Sequence, residues 1–148
     1  MCAKAKYRNG DTAWREVGYS TIVEETGELG VIEYGKELDF LIKRVFYLRG
    51  INSNATRGMH SHKDLKQLIV CLNGEFTIEL DNGCEKYTER MTADDHSLYV
   101  DGKVWRKMDD FSEDAVVMVL CDREYRFDEV IRDYSVFLKN LEDVNNVL

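Results

Sequence analysis

The sequence predicts an all-β fold, a sandwich or barrel of short strands, followed by one C-terminal helix. Apolar runs alternate with turn sequences through most of the chain, and helical periodicity is confined to the tail. At 148 residues with 44% hydrophobic content, the chain fits a single domain over residues 1–148. A jelly roll is the arrangement of many short strands that protects the sheet edges.

The first half of the chain gives the weaker strand predictions. Residues 1–11 are polar and without pattern, and we expect them to fray. Trp14–Val23 and Leu29–Tyr34 are predicted as short strands with a glycine-containing turn between them. Phe40–Leu48, rich in β-branched and aromatic residues, predicts a stronger strand, and the Gly/Asn/Ser loop Arg49–Thr56 follows it.

The second half alternates regularly between strand and turn. Asn73-Gly74 and Asp81-Asn82-Gly83 are turn sequences between apolar runs. Ala115–Cys121 is almost entirely apolar, which is typical of a strand buried on both faces. The other strands predicted in this half are Leu68–Leu72, Phe76–Leu80, Glu85–Arg90, Ser97–Val100 and Val104–Met108.

The tail carries the clear helical pattern, predicted over residues 127–144. One apolar stripe with steps of three and four residues extends over about five turns. Such a stripe usually packs on its own sheet or on a partner subunit, so we assign it no chemistry. Its members are Phe127, Val130, Ile131, Tyr134, Phe137, Leu138, Leu141 and Val144.

Charge and cysteine content exclude several kinds of partner. A net charge of −8 and a pI near 4.9 argue against nucleic acid or an anionic membrane surface, because both require a basic footprint. No apolar stretch has transmembrane length. The four cysteines lack C-x-x-C spacing, which predicts reduced thiols in a cytoplasmic protein. They are Cys2, Cys71, Cys84 and Cys121.

The segment Thr56–Lys63 contains the pattern most typical of a site. It holds His60 and His62, two of the three histidines in the chain. Side chains alternate along a strand, so both imidazoles would lie on the same face, within reach of one ligand. Gly58 would allow a sharp turn before them, and Arg57 supplies a planar, permanently charged donor suited to phosphate oxygens.

Motifs in and around this segment resemble those of the cupin-fold dTDP-sugar 3,4-ketoisomerases. The resemblance extends from about Phe40 to Phe137 and is weaker over the first forty residues. The motifs that carry it are Arg57-Gly58-Met59-His60-Ser61-His62-Lys63, Gln67, Cys71–Gly74, Leu80–Gly83, Trp105, Asp110–Ser112 and Glu129–Tyr134.

The resemblance implies a cupin jelly roll, or double-stranded β-helix, with a C-terminal α-helix. It also implies a homodimer whose subunits exchange N-terminal strands. The short, isolated strands within residues 1–34 suit such an exchange, because they have little core of their own to pack on.

The implied activity interconverts dTDP-4-keto-6-deoxy-D-glucose and its 3-keto isomer without a cofactor, in the biosynthesis of 3-amino-3,6-dideoxy sugars. A ketone at carbon 4 acidifies the hydrogen on carbon 3, so a base can remove it and a proton returned to carbon 4 moves the ketone. Histidine can both take and return protons near neutral pH. We therefore expect His60 and His62 to be catalytic, with their separate roles open, and Tyr47 to polarise the ketone unless it belongs to the core.

Three arginines are candidates for binding the nucleotide. Arg57 is expected to clamp the pyrophosphate through bidentate contacts. Arg44 and Arg49 would form a local basic patch with it, although solvated charges at a strand edge explain them equally well.

Three further residues are candidates for contacting the sugar or the thymine. Gln67 could hydrogen-bond a sugar hydroxyl or orient His60. Tyr99 and Trp105 could stack on the thymine or the sugar, and burial in the barrel core is the alternative for both.

No metal is expected at the two histidines. Cupins often bind a divalent ion through two such histidines, a nearby glutamate or glutamine, and a histidine of a later strand. Gln67 is near the third position, but the later histidine is missing, because this chain has Trp105-Arg106. His96 lies too early, in the preceding turn, and arginine cannot ligate a cation.

Three other functions stay open from the sequence. The Arg-Gly-x-His order also resembles the dTDP-sugar 3,5-epimerases, in which that first histidine is the base, whereas the second histidine separates ketoisomerases from epimerases. A cupin that binds a ligand without turnover and a metal-dependent oxygenase are the remaining alternatives. Two titratable groups beside an arginine are costly to bury without a task, which favours an enzyme.

Overall fold

The computed structural model describes residues 13–94 and 96–146. The fraying expected for residues 1–11 lies outside these ranges. Within them the chain forms twelve β-strands and one α-helix. The elements are β1 (Trp14–Gly18), β2 (Ser20–Glu24), β3 (Gly27–Val31), β4 (Arg44–Leu48), β5 (Arg57–His62), β6 (Lys66–Asn73), β7 (Glu75–Asp81), β8 (Lys86–Thr92), β9 (His96–Asp101), β10 (Trp105–Asp109), β11 (Val116–Cys121), β12 (Val130–Ile131) and α1 (Tyr134–Asn146).

Ten of these strands form two five-stranded antiparallel sheets. The order of the first sheet is β1-β9-β6-β11-β4, and that of the second is β12-β5-β10-β7-β8. Strands β2 and β3 form a separate hairpin. The prediction of an all-β jelly roll with a C-terminal helix is confirmed.

The main core lies between the two sheets and follows the alternation of each strand. In β7, Phe76, Ile78 and Leu80 are fully buried, whereas the residues between them face outward. Burying a side chain of this size contributes about 1.5–3 kcal/mol. Val117 and Val119 of β11 join the same core from the first sheet.

A second cluster covers the outer face of the first sheet. Leu68, Val70 and Leu120 pack there against Leu38 and Phe40 of the segment that precedes β4. Strand β11 therefore contacts apolar residues on both faces, as its nearly continuous apolar sequence predicts.

Several predicted boundaries are wrong. The segment Trp14–Val23 divides into β1 and β2, and the strand expected over Phe40–Leu48 begins only at Arg44. The helix begins at Tyr134 and not at residue 127, because Val130 and Ile131 pair with β5 as a strand. Apolar residues three or four apart fit a helix, but a pair of adjacent ones fits an edge strand equally well.

The cysteine prediction is partly wrong. Cys71 and Cys121 are free and buried, as expected of small apolar side chains. Cys84, however, is disulfide-bonded.

None of the helical structure in the described residues is long and apolar enough to span a membrane.

Candidate active site

Strand β5 reaches the site through an irregular backbone at its start. Gly58 has φ +87° and Met59 has φ +54°, and the pairing register with β10 shifts at this point. A Cβ on Gly58 would lie 2.9 Å from the carbonyl oxygen of Arg106. Glycine is therefore required here by both its backbone conformation and its close approach to β10.

The two imidazoles lie on one face of β5, as the alternation of a strand predicts. The ring centroids of His60 and His62 are 4.8 Å apart, and the rings meet edge to face at 88°. Both line an open cavity of about 380 Å³. The other residues that line it are Arg44, Phe46, Gln67, Tyr125, Val130 and Arg132.

Arg106 places a buried positive charge beside the histidines. It lies opposite His60 in the β5–β10 pairing and is only 2% exposed. Its guanidinium donates hydrogen bonds to the carbonyl oxygens of Asp101 and Val104, at 3.0 Å and 2.9 Å, and to the side-chain oxygen of Gln67. These acceptors fix the guanidinium, and the contact with Gln67 joins the two sheets at the floor of the site.

Both imidazoles are neutral at physiological pH. Burial, reinforced by the charge of Arg106, lowers the pKa of His60 to about 4 and that of His62 to about 2. A neutral imidazole can accept a proton, so each ring is available as a base at pH 7.

The histidines also carry buried ring nitrogens that bind nothing within the described chain. Nδ1 of His60 and Nε2 of His62 have no hydrogen-bond partner among the described residues. A buried polar atom without a partner costs about 1–3 kcal/mol. Such atoms are expected at a site where a ligand supplies the missing partner.

Two arginines give one wall of the cavity a positive charge. The guanidinium of Arg44 lies 5.5 Å from the ring centroid of Tyr125 and 5.6 Å from that of Phe46. Arg132 lines the same cavity and lowers the pKa of His60 and His62 by its charge. The cavity therefore combines two bases with an anion-binding wall, although the chain carries a net charge of −8.

Of the other predicted site residues, Gln67 and Arg44 share the cavity with the histidines. Tyr47, predicted to be catalytic, and Arg49, predicted to bind substrate, do not line it. Arg44 pairs with Cys121, whose side chain lies in the main core. Side chains alternate along a strand, so Tyr47, three residues after Arg44, faces the opposite side of β4. Tyr47 is 60% exposed there, with the guanidinium of Arg49 at 5.5 Å from its ring. Tyr47 therefore cannot polarise a ketone held in the cavity of its own subunit.

The remaining predicted residues also lie outside the cavity lining. Arg57 is exposed at the start of β5. Tyr99 is buried on the outer face of the first sheet, with the guanidinium of Arg15 at 4.9 Å from its ring. Trp105 is buried against the helix residue Phe137. For Tyr99 and Trp105, core packing explains their burial.

Sequence reasoning missed four residues of the lining and one beneath it. Phe46 lies two residues after Arg44 on β4, so the alternation of the strand places both on the same face once the start of β4 is known. Val130 and Arg132 were hidden by the helical interpretation of the tail, and Tyr125 precedes them in an irregular segment. In the sequence, Arg106 stands where a metal-binding histidine is missing, and that position alone does not indicate its place beside His60 and His62.

The donor set is poorly suited to a metal ion. The oxygen of Gln67 already accepts a hydrogen bond from the cationic guanidinium of Arg106, so a metal ion bound to that oxygen would lie beside a fixed positive charge. Two imidazoles beside a fixed guanidinium leave a cation underbound and repelled.

Comparisons with known proteins identify the family. A family model described as "FdtA: WxcM-like, C-terminal" matches residues 15–142. The TDP-4-oxo-6-deoxy-alpha-D-glucose-3,4-oxoisomerase of Aneurinibacillus thermoaerophilus is 38% identical over 131 residues, which cover 87% of this chain and 93% of that protein.

Solved structures agree with this assignment. A mutant of QdtA, a 3,4-ketoisomerase of Thermoanaerobacterium thermosaccharolyticum in complex with TDP-4-keto-6-deoxyglucose, matches with a TM-score of 0.85 and 32% identity, over 88% of this chain and 95% of that one. NovW, a 4-keto-6-deoxy sugar epimerase of Streptomyces spheroides, is 12% identical, with a TM-score of 0.67 over 80% of this chain and 67% of its own, and shares the fold alone. The chain therefore belongs to the FdtA, WxcM-like C-terminal family, whose members include sugar 3,4-ketoisomerases.

Proposed function

We propose that this chain is a 3,4-ketoisomerase that acts on dTDP-4-keto-6-deoxy-D-glucose, in the biosynthesis of 3-amino-3,6-dideoxy sugars. The observation that carries the proposal is the pair of neutral imidazoles, 4.8 Å apart, in a cavity with two arginines. The reaction moves protons between two adjacent carbons and their oxygens. It therefore needs a base and an acid that both reach the same C–C bond of the sugar. The similarity to ketoisomerases supports the same choice of substrate.

The first half of the reaction removes the hydrogen of carbon 3. A neutral imidazole takes this proton, and the electrons of the C–H bond form a C3–C4 double bond while the ketone oxygen on carbon 4 becomes an oxyanion. The ring N–H of the other imidazole protonates that oxygen to give the enediol. The buried charge of Arg106 stabilises the oxyanion electrostatically, because its field acts in a medium with little water.

The second half returns a proton to carbon 4. The imidazole that protonated the oxygen on carbon 4 takes the proton of the hydroxyl on carbon 3, which forms the new ketone, and the electrons of the double bond take up at carbon 4 the proton held by the first imidazole. The low pKa of both histidines makes each imidazolium a strong acid, so a proton taken in the first half is readily given back. The bound diphosphate would raise these pKa values and so strengthen the bases when substrate is present.

Arg44 and Arg132 are suited to hold the diphosphate. They form the charged wall of the cavity, and a guanidinium can bind phosphate oxygens in a bidentate manner. Arg57 is exposed at the start of β5 and lies outside the cavity lining, so we assign it no contact with the diphosphate inside the cavity.

A strand-exchanged homodimer completes the proposal. The hairpin β2–β3 exposes Ile22, Val23 and Leu29, at 48%, 71% and 60%. A hollow of about 470 Å³ separates it from the outer face of the first sheet, where Leu72 is 50% exposed. A partner hairpin would cover these apolar side chains, which are otherwise costly to expose.

Dimer formation can be tested independently of activity. Light scattering coupled to size exclusion is expected to give twice the chain mass at micromolar concentration. Deleting residues 1–34 is expected to give insoluble or unfolded protein. A soluble, folded monomer after this deletion would refute strand exchange without affecting the catalytic proposal.

The reaction itself is tested by incubating the protein with dTDP-4-keto-6-deoxy-D-glucose in heavy water and following the sugar by NMR. A ketoisomerase gives the 3-keto product with deuterium at carbon 4 when the base exchanges with solvent. An epimerase leaves the ketone at carbon 4 and labels carbon 3 or carbon 5, and a binding protein leaves the sugar unlabelled. Either of these results would overturn the proposal.

A further inference from the structure

A second group of chemically active side chains lies away from the cavity. Glu16 of β1, Glu89 of β8 and His96 of β9 each offer one potential ligand atom, and these atoms lie within 4.8 Å of one another. Strand β1 is the edge of the first sheet and β8 is the edge of the second. The group therefore joins the free edges of both sheets.

Neighbouring hydrogen bonds fix the ligand atoms in this arrangement. Nδ1 of His96 lies 2.5 Å from a carboxylate oxygen of Asp94, and Nε2 lies 2.8 Å from Oε1 of Glu89. The other oxygen of Glu89 accepts a hydrogen bond from the hydroxyl of Tyr87 at 3.1 Å. A histidine that binds a metal through one nitrogen usually donates the other N–H to a carboxylate, as His96 can do towards Asp94.

The electrostatics around this group favour a cation. Three carboxylates surround one imidazole, and the ion pairs formed among the described residues bring no lysine or arginine to Glu16, Glu89 or Asp94. Asp94 and Glu89 each place a carboxylate oxygen within hydrogen-bond distance of the imidazole of His96, at 2.5 Å and 2.8 Å. The imidazole is therefore flanked by negative charge on both sides.

We propose that Glu16, Glu89 and His96 form a site for a divalent transition-metal ion of the zinc class. One imidazole nitrogen and two carboxylate oxygens are ligands that zinc accepts, and a water molecule would complete a tetrahedron. Ligand atoms at zinc distances lie about 3.3 Å apart in a tetrahedron, so His96 and Glu89 need to separate by about half an ångström. The ion would replace the proton that they share and would cross-link the two sheet edges.

The site is separate from the catalytic cavity. Glu89 lies on β8, and the two cavity histidines lie on β5. Three strand spacings, from β5 through β10 and β7 to β8, make this separation about 14 Å. Its residues and those that line the cavity do not overlap. The proposal is therefore independent of the proposed ketoisomerase activity.

The histidine content of the chain provides a matched control. The full-length protein is titrated with zinc chloride by calorimetry, and its thermal unfolding is followed with zinc and with excess EDTA. We compare the wild type, His96→Asn, Glu89→Gln, and the double variant His60→Asn/His62→Asn, which removes the two cavity histidines and leaves the proposed site intact.

The wild type and the double variant are expected to bind one zinc ion per chain and to melt at a higher temperature with zinc than with EDTA. His96→Asn and Glu89→Gln should weaken binding at least tenfold while keeping a native circular dichroism spectrum. Glu16→Gln, an exposed and conservative change, covers the case in which either variant fails to fold. Binding should also weaken as the pH falls from 7.5 to 5.5, because protons compete for His96.

Zinc binding lost in the double variant, or retained in all three single variants, would overturn the proposal. So would a wild type that binds no zinc, because His96 would then only bridge two carboxylates as an imidazolium.

Discussion

Replacing His62 by asparagine should make the stability of the fold less sensitive to acid. His62 is 7% exposed, and burial together with Arg106 lowers its pKa to about 2. In the unfolded chain its pKa returns to about 6.5. Between these two values the unfolded chain binds a proton that the folded chain does not, so the free energy of unfolding falls as the pH falls.

The size of the effect follows from the two pKa values. Each proton bound in excess by the unfolded chain changes the free energy of unfolding by about 1.4 kcal/mol per pH unit. From pH 8 to pH 4.5 the unfolded imidazole goes from almost unprotonated to almost fully protonated. His62 alone should therefore cost the wild type up to about 2.7 kcal/mol over this interval, a cost that asparagine does not incur.

The assay is urea denaturation at pH 8 and pH 4.5, followed by circular dichroism at one protein concentration and with EDTA present. Between pH 8 and pH 4.5 the free energy of unfolding of the wild type should fall by about 2 kcal/mol more than that of His62→Asn. His96→Asn is the control of opposite sign. Contacts with Glu89 and Asp94 raise the pKa of His96, so it stabilises the fold at low pH and this stabilisation is lost as the pH rises through its folded pKa. Equal losses in the wild type and His62→Asn would show that His62 is not held neutral by the fold.

Four further outcomes are expected. His60→Asn should lower turnover on the 4-keto sugar nucleotide at least about a hundredfold with little change in melting temperature, and a near wild-type rate would remove its role as acid or base. Arg132→Lys should raise KM more than it lowers kcat, because a point charge replaces a planar fork; an unchanged KM would exclude it from nucleotide binding. Tyr47→Phe should keep kcat and KM near those of the wild type if each subunit is catalytically complete, and a large loss of kcat would indicate that the exposed hydroxyl serves a site across the dimer. Gly58→Ala should lower the free energy of unfolding by about 1–3 kcal/mol in urea denaturation, because alanine is strained at φ +87°, whereas Gly27→Ala, which meets no atom within 4 Å, reports the backbone conformation alone.

The predictable part of the site is the part that depends on the period of two along a strand. His60 and His62 are separated by one residue, so any strand places both imidazoles on one face, whatever its partners. The face of β4 could not be predicted in this way, because nearly all residues of Phe40–Leu48 are apolar or aromatic and show no alternation. Its pairing with β11 places Arg44 inward and Tyr47 outward, and that pairing is a property of the tertiary structure.

The tail shows a second limit of sequence reasoning. Val130 and Ile131 fit the helical stripe as well as a strand, and their pairing with Ser61 and His62 determines the result. The burial of Trp105 depends on the same region, because Tyr134 and Phe137 of α1 pack on its ring. Long-range contacts decided between interpretations that were locally equivalent.

The two-residue strand β12 ties one wall of the cavity to the packing of the C-terminal helix. It forms one wall through Val130 and pairs with β5 only at two positions, while Ile131 is anchored beside Phe137 and Leu141 of α1. Detaching the helix would therefore release the wall and uncover both imidazoles while the rest of the sandwich stays folded. The free energy of that opening, measurable by hydrogen exchange at the amides of β12, sets the fraction of time during which this wall is absent from the cavity.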